Sequence, residues 1–446
     1  MQSASERWDE TNWKPRFFTI WTGQAFSLFG SNLVQFALVW WLTSTTGSAT
    51  VLAFSTLAAM LPQILLSPIA GAVVDRGSRR LIMMAADSLI ALLTLGLVIV
   101  FASGSAQIWH VYVIMFARSA LGAFHWPAMS ASTSLMVPEK HLSRVAGLNQ
   151  ALHGAVNIIA PPAGALMLAA LPMHQVLAID VVTALMAVLP LAFIRVPQPK
   201  RSVEARAAGP TSVAQDMKAG WRYLLGWPGL LIVCGMAAVI NFIVNPAFAL
   251  LPILVTRHFG GQALELGWIN SAYGVGVIAG GLALSVWGGF KRRIVTSMFG
   301  LAFMGVGTIV IGAAPANAFL IAIAGMALAG IMNPITNGPL FAVLQSTVAP
   351  DMQGRVMSLL NAFATAMSPL SLLVAGPLSD ALGVQVWYIA GGIACILLAA
   401  VGYLTPAVAS LERGRPGTAA PIAAASSATP LDGAASVPAR FEPVAK

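Results

Sequence analysis

Long apolar runs dominate this chain and leave it few folds to choose from. A helix needs about 20 apolar residues to cross the hydrocarbon core of a bilayer. Twelve such runs follow one another, at 17–42, 50–74, 80–103, 108–136, 142–170, 174–194, 228–256, 263–289, 293–314, 317–347, 354–379 and 384–406. With no water to satisfy it, backbone in hydrocarbon must bond within its own segment or close into a barrel, so runs of this length read as α-helices. The expected fold is an all-α membrane protein with twelve transmembrane helices. Only 9% of the residues are charged, against about 25% in soluble domains. Residues 1–16 are polar and the run after them is too long for the apolar core of a cleavable leader, so it is expected to remain as the first span. Pro127, Pro161, Pro162, Pro246, Pro252, Pro334, Pro339 and Pro369 are expected bending points.

Basic residues set the orientation. Alternate connections hold Arg7, Lys14 and Arg16; Arg76, Arg79 and Arg80; Lys140 and Arg144; the six between Arg195 and Arg222; Lys291, Arg292 and Arg293; Arg355; and four in the tail. The connections on the other side hold Arg257 alone, and Arg118 lies inside a run. By the positive-inside rule both termini face the cytoplasm of a multi-pass plasma-membrane protein. The net charge of +9 is thereby an orientation signal and not a nucleic-acid surface. Cys234 and Cys395 both sit within apolar runs, which implies neither a disulfide framework nor a metal site.

The runs divide into two bundles of six, 17–194 and 228–406, joined by a cytoplasmic linker at 195–227. Within the linker Val213, Met217, Trp221 and Leu224 recur at helical spacing beside Lys218 and Arg222, as in an amphipathic helix lying on the membrane surface. Residues 407–446 are Ala-, Pro- and Ser-rich and aperiodic, a composition expected to be disordered. The bundles read as copies. Pro127, Val137-Pro138-Glu139 and Arg144-Val145 have counterparts in Pro339, Ala349-Pro350-Asp351 and Arg355-Val356. Two six-helix copies of equal orientation form a parallel repeat, which places a substrate site between them near the midplane.

A polar stripe inside a bilayer must face protein or water. The first run carries Gln24, Ser27, Ser31 and Gln35 on one helical face, and the fourth carries Arg118, Gly122, His125 and Met129. Asn241 and Asn245 in the seventh, and Asn333 and Asn337 in the tenth, are each one turn apart. A hydrated central pathway lined by runs 1, 4, 7 and 10 accounts for all of them, with Trp126 and Trp21 among its apolar wall; hydrogen bonding between packed helices is the alternative. Run 5 adds Asn149, His153 and Asn157, set to line the inner part of the cavity or the interface between halves. Three charges lie inside runs. Arg118 needs an acidic partner, and proton coupling or an ion pair would both supply one. Asp87 lies two turns from Arg80 on the same face, which predicts a structural pair between them or a cytoplasmic lock, with proton carriage the alternative. Asp180 is expected in a capping or interfacial role, and His125 beside Trp126 reads as a packed, hydrogen-bonded side chain, with a titrating group the alternative. Trp40, Trp41, Trp109, Tyr112, Trp227, Trp387 and Tyr388 fall near run ends, where aromatic belts form.

Between runs 2 and 3 lies Gly71-Ala-Val-Val-Asp75-Arg76-Gly-Ser-Arg79-Arg80, echoed in the second half by Gly280-Gly281 through Gly289-Phe-Lys291-Arg292-Arg293 without the acid. Asp75 is poorly placed for the dipole of its own helix, so it is expected to cap another helix or pair with an arginine. In a twelve-span repeat, Gly71-x-x-x-Asp75-Arg76-x-x-Arg79-Arg80 resembles the signature of the major facilitator superfamily, with Ser78 where the family has its second glycine. The resemblance implies that Asp75 caps the eleventh helix and that the arginines meet an acid near the end of the fourth, a lock on one conformational state. Arg118-x-x-x-Gly122 is similar to the helix 4 motif of proton-coupled members, and Ala160-Pro161-Pro162-Ala163-Gly164-Ala165 to their antiporter motif with alanines in place of two glycines. Phe17 to Gln24, Gln35 to Leu42, Thr46 to Thr50, His125 to Met129 and Leu148-Asn149-Gln150 resemble the macrolide-efflux and enterobactin-exporter branch.

The implied function is secondary active export of an amphipathic small molecule such as a macrolide, by proton antiport with alternating access. No phosphate-binding glycine loop and no nucleophile–base constellation is present, so neither an enzyme nor ATP as driving force is expected. No cofactor is expected beyond the proton gradient, and a monomer is expected. A siderophore or other metabolite exporter, an importer or flippase, and a non-transporting receptor or scaffold remain alternatives.

Overall fold

In the computed structural model the described residues are 13–197, 221–223, 225–348 and 350–413. Twelve helices of 20 residues or more order them. These are α1 (Trp13–Thr46), α2 (Ala49–Arg76), α3 (Arg79–Ala102), α4 (Ile108–Met136), α5 (Glu139–Ala170), α6 (Met173–Phe193), α7 (Pro228–Ala249), α8 (Ala263–Trp287), α9 (Arg293–Ala313), α10 (Phe319–Thr347), α11 (Pro350–Leu382) and α12 (Gln385–Leu404). Ten are long and apolar enough to cross a membrane. The other two are α4, diluted by His110, Arg118 and His125, and α11. No strand occurs among the described residues. The expected surface helix of the linker lies mostly outside the described residues, as do residues 1–12 and the tail beyond 413. Residues 407–413, expected to begin that tail, instead continue the fold as Pro406–Ala409 and a 3-10 turn at Leu411–Arg413, with Val408 and Leu411 buried.

Of the expected bending points, only Pro252 coincides with an interruption. There α7 stops at Ala249, restarts as Leu251–Ile253 and ends in a π-turn at Leu254–His258. Trp227, Trp387 and Tyr388, expected at the membrane interface, are buried instead, and Tyr388 Oη donates to the carbonyl of Ala247 at 2.6 Å.

The two halves pack by the same plan. In the first, α2 packs on α4, α3 on α4 and α6, and α1 on α5 and α6. In the second, α8 packs on α10, α9 on α10 and α12, and α7 on α11 and α12. Between halves, α2 packs on α11 and α5 on α8, two contacts that a twofold rotation would exchange. The duplication legible in the sequence is therefore a duplication in space.

Among the described residues the apolar core shared by the two halves lies at the end away from the basic connections. There a single apolar cluster draws on both, with Leu52 and Ala53 of α2 beside Leu372 and Ala375 of α11, and Ala165 of α5 beside Leu266 and Ile269 of α8. Small residues bring the backbones together. A Cβ on Gly376 would lie 2.9 Å from Thr50 Cα, and one on Gly267 would lie 3.0 Å from Pro162 Cα. Asp380, at the end of α11, closes the contact. It accepts from the backbone N–H groups of Ala49 and Thr50 and from Ser48 Oγ, each at 2.9 Å, which caps α2 across the seam, and Arg257 Nη1 stands 3.3 Å away.

Burial by itself would raise the Asp380 carboxyl, but the hydrogen bonds from Thr50, Ala49 and Ser48 outweigh it and hold the group at about 2. A depressed carboxylate contributes its stabilisation above the ordinary value of about 3.9 and loses it as pH falls through the folded value. The cap is thus fully charged from pH 5 upward. Asp380→Asn should loosen it by a dipole interaction of up to about 2 kcal/mol plus a weak exposed ion pair. A membrane-impermeant maleimide should then label a cysteine at Leu52, 1% exposed here, at least about fivefold faster. Equal labelling would remove Asp380 from the closure.

At the basic end each half keeps its own core. Trp13, Phe17, Val74, Met83 and Leu191 form one, and Trp227, Ile294, Met298, Val343 and Leu411 the other. A Cβ on Gly71 would meet no atom of the described residues within 4 Å. Arg79 Nη1 donates to the carbonyl of Ala131 at 2.7 Å, and Arg80 donates through Nε and Nη2 to those of Leu191 and Ala192. These carbonyls lie near the C-terminal ends of α4 and α6, where the helix leaves C=O groups unpaired and the dipole favours a cation. The predicted Arg80–Asp87 pair does not form. The side chains of Asp75 and Glu139 lie outside what is described. In the second half Gly288 and Gly289 take positive φ, +74° and +84°, which places Arg292 and Arg293 at the start of α9. Glu412 Oε1 accepts from Ile294 N–H there at 2.7 Å, an acid supplied from beyond α12 in place of the one missing from the repeat.

Candidate functional site

Three helices carry polar residues at seven-residue intervals: Gln24 and Ser31 on α1, Asp87 and Thr94 on α3, His125 and Arg118 on α4. Seven residues are two turns, about 10 Å of rise. Because α4 runs antiparallel to α1 and α3, the six side chains meet as two stacked layers. The layer nearer the basic end holds Asp87, whose Oδ2 accepts from Gln24 Nε2 at 2.8 Å and whose Oδ1 lies 3.2 Å from His125 Nε2. The farther layer holds Asp180 of α6, which is completely buried. Its Oδ1 accepts from Ser31 Oγ and its Oδ2 from Thr94 Oγ1, both at 3.0 Å, and Arg118 Nη1 forms an ion pair with the same Oδ2.

The layers differ in what compensates the acid. Asp180 faces a guanidinium that stays protonated at any physiological pH, so that layer holds no net charge. Asp87 faces an imidazole 3.2 Å away, which is a cation only if protonated. The expected capping or interfacial role of Asp180 is thus replaced by a buried ion pair, and the partner required for Arg118 is found on α6. Taking a carboxylate out of water is costly unless it is paired and hydrogen-bonded. Asp180 meets that condition in full, whereas Asp87 is hydrogen-bonded by Gln24 and has a cationic partner only if His125 is protonated.

Beside these layers opens a cavity of about 650 Å³, lined from α1, α2, α3, α4 and α5. That size lies within the range of small-molecule sites. Of the expected site residues, Gln24, Ser27, Ser31, Gln35, Asp87, Arg118, Gly122, His125, Trp126 and Met129 line it. Asp180 stands behind Arg118, outside the lining. Asn241, Asn245, Asn333 and Asn337, expected from runs 7 and 10 on the same pathway, do not line this cavity. Three of their amides are engaged elsewhere: Asn241 donates to Ala237 O at 2.8 Å and Asn337 to Asn333 O at 3.0 Å, while Asn245 reaches Asn241 and Ser368. Lys291, Arg292 and Arg293 lie at the basic end, away from the cavity.

From α5, Asn149 and His153 line the cavity, and Asn157 does not. Asn149 Oδ1 accepts from Trp21 Nε1 at 2.7 Å, and the His153 ring meets Trp126 edge-on at 4.9 Å. Thr94 went unnoticed in the sequence, where a threonine in an apolar run carries no signal of its own. Its position seven residues after Asp87 was the available clue. Among the described residues no group of His, Cys, Asp or Glu is set to hold a metal, and Cys234 and Cys395 are buried and free.

Comparison with known proteins adds the family context. The family model described as Major Facilitator Superfamily matches residues 20–258 and 230–436. Macrolide efflux protein A of Streptococcus pyogenes is 32% identical over 390 residues, covering 87% of this chain and 96% of that protein. Multidrug efflux pump Tap of Mycolicibacterium fortuitum is 26% identical over 398 residues, covering 86% and 94%. Among solved structures, a bacterial homologue of the iron transporter ferroportin in its inward-facing state superposes with a TM-score of 0.66 at 14% identity, covering 88% of this chain and 99% of that one. At that identity the likeness is one of fold.

Proposed function

The chain belongs to the Major Facilitator Superfamily, and on that premise we propose that it expels amphipathic drugs, macrolides among them, in exchange for protons. It is a multi-pass membrane transporter, and the efflux proteins it resembles over most of its length support drug efflux as its task. Two halves whose described residues share one core at one end and keep separate cores at the other support alternating access, with the basic end toward the cytoplasm of the plasma membrane. In this arrangement the cavity takes cargo from the cytoplasmic side. Each chain holds one complete cavity and works as a monomer.

The observation that carries proton exchange is Asp87 beside His125, the one layer whose charge balance depends on a proton. A proton taken up or released there changes the charge of a water-accessible cavity without breaking the fold. The Arg118–Asp180 layer stays neutral overall and positions α4 against α3 and α6.

Inverted membrane vesicles test the proposal. A labelled macrolide should accumulate when respiration acidifies the lumen, and an uncoupler should collapse the accumulation. Uptake indifferent to the uncoupler would exclude proton antiport. Absence of uptake for macrolides would exclude them as cargo.

A further inference from the structure

The two copies of the basic turn use their cations differently. In the first half Arg79 and Arg80 are engaged with the carbonyls of Ala131, Leu191 and Ala192. In the second, Lys291, Arg292 and Arg293 are exposed, and none of their side chains has a hydrogen bond or ion pair among the described residues. Glu412, the acid at this turn, is directed to the N–H of Ile294. The backbone that carries the three cations is fixed. Gly288 and Gly289 reverse it at φ +74° and +84°, and Phe290 N–H donates to Oγ1 of the completely buried Thr296 at 2.9 Å. An aromatic row continues from the turn along α9. Phe290 meets Trp287 edge-on at 4.8 Å and Phe299 at 5.5 Å, and Phe299 meets Phe303 at 4.6 Å. Trp287, Phe290 and Phe303 are 45%, 44% and 41% exposed. Phe303 lies ten residues beyond the start of α9, about 15 Å along its axis. In a spanning helix that surface faces acyl chains.

We propose that this face binds one anionic phospholipid, with the phosphodiester on Lys291, Arg292 and Arg293 and an acyl chain along Phe290, Phe299 and Phe303. A guanidinium presents paired donors that match two phosphate oxygens, and an ammonium adds a point charge. Lysine and arginine near the cytoplasmic surface attract acidic lipids, by about fivefold in affinity per residue. A zwitterionic lipid brings its own cation to the same three, which removes most of that gain. The aromatic row selects a lipid over a soluble phosphate, since only a lipid covers it within the hydrocarbon. Bound there, the lipid supplies the second-half turn with the anion that its sequence lacks and fastens the ends of α8 and α9 to the cytoplasmic leaflet. Asp87 and the cavity take no part, so lipid binding and export fail separately.

Native mass spectrometry of the purified full chain, released from detergent with lipid added, counts the bound molecules. Phosphatidylglycerol should bind at least about tenfold more tightly than phosphatidylcholine with the same acyl chains. Raising ammonium acetate from about 50 to about 500 mM should erase most of that preference, because exposed charges are screened. Lys291→Gln combined with Arg292→Gln and Arg293→Gln should abolish it. Lys200→Gln combined with Arg201→Gln and Arg206→Gln removes the same charge from the linker and should leave it intact. An equal concentration of sn-glycerol 3-phosphate, a phosphate without acyl chains, should not displace the lipid. Equal affinity for the two lipids, a preference indifferent to salt, equal loss in the two triple variants, or displacement by sn-glycerol 3-phosphate overturns the inference. The wild-type lipid and salt comparisons decide it even where a triple variant fails to fold.

Discussion

Arg118→Ala should abolish export and destabilise the protein together, by about 3–5 kcal/mol, because it leaves the Asp180 carboxylate charged, completely buried and without its cation. Ser31 and Thr94 would still donate to Asp180, but two hydroxyls do not replace a guanidinium. Lower thermal stability in detergent and loss of macrolide uptake in vesicles are the expected readings. The loss of uptake can be separated from the loss of stability. Removing both members of a buried pair is often close to neutral, since it also removes the desolvation cost. Arg118→Met combined with Asp180→Leu should therefore recover most of the stability. Continued loss of uptake in that double variant would make the pair part of the transport machinery. Recovered uptake would restrict it to holding α3, α4 and α6 together.

Gly376→Val should act on the cycle and not on the fold of either half. The added Cβ would lie 2.9 Å from Thr50 Cα and 3.0 Å from Ala53 Cβ, and backbone on the opposing helix cannot move aside as a flexible side chain can. Overpacking of this kind costs about 1–3 kcal/mol, a shift of roughly 5- to 150-fold between the closed and parted arrangements of that end. The matching control is Gly281→Val, where a Cβ meets nothing within 4 Å. Gly376→Val should lower macrolide uptake about tenfold or more and speed maleimide labelling of a cysteine at Leu52, with Gly281→Val near wild type on both. Wild-type uptake and labelling in Gly376→Val would show that this end need not close tightly for transport.

The candidate site was legible in part, and the pattern of success follows from distance along the chain. Gln24, Ser27, Ser31 and Gln35 could be placed on one face because helical periodicity fixes neighbours within a segment. Arg118 could be marked as needing an acid because an unpaired guanidinium in hydrocarbon is too costly to persist. Which acid could not be read. Asp87 was nearer Arg80 along its own helix, yet Arg80 turns to the carbonyls of Leu191 and Ala192, and Asp87 turns to Gln24 and His125. The stripe rule met this cavity only in the first half. It treated Asn241, Asn245, Asn333 and Asn337 as equivalents of the first-half residues, but amides can satisfy themselves on their own helix, and Asn241 and Asn337 do so.

The sequence by itself determined that the chain is a bundle of membrane-crossing helices, that it is built twice over, and that polar groups run through the middle of several spans. These are properties of single segments against a bilayer, and the bilayer supplies the same one-dimensional constraint to each. Only the tertiary structure decided that the two halves share an apolar core at one end, that Asp180 is cancelled by Arg118, and that Asp87 is left to an imidazole. Those outcomes depend on which side chains share a desolvated volume, and an ionic contact across 38 or 62 residues of chain leaves no periodic trace in the segments that make it.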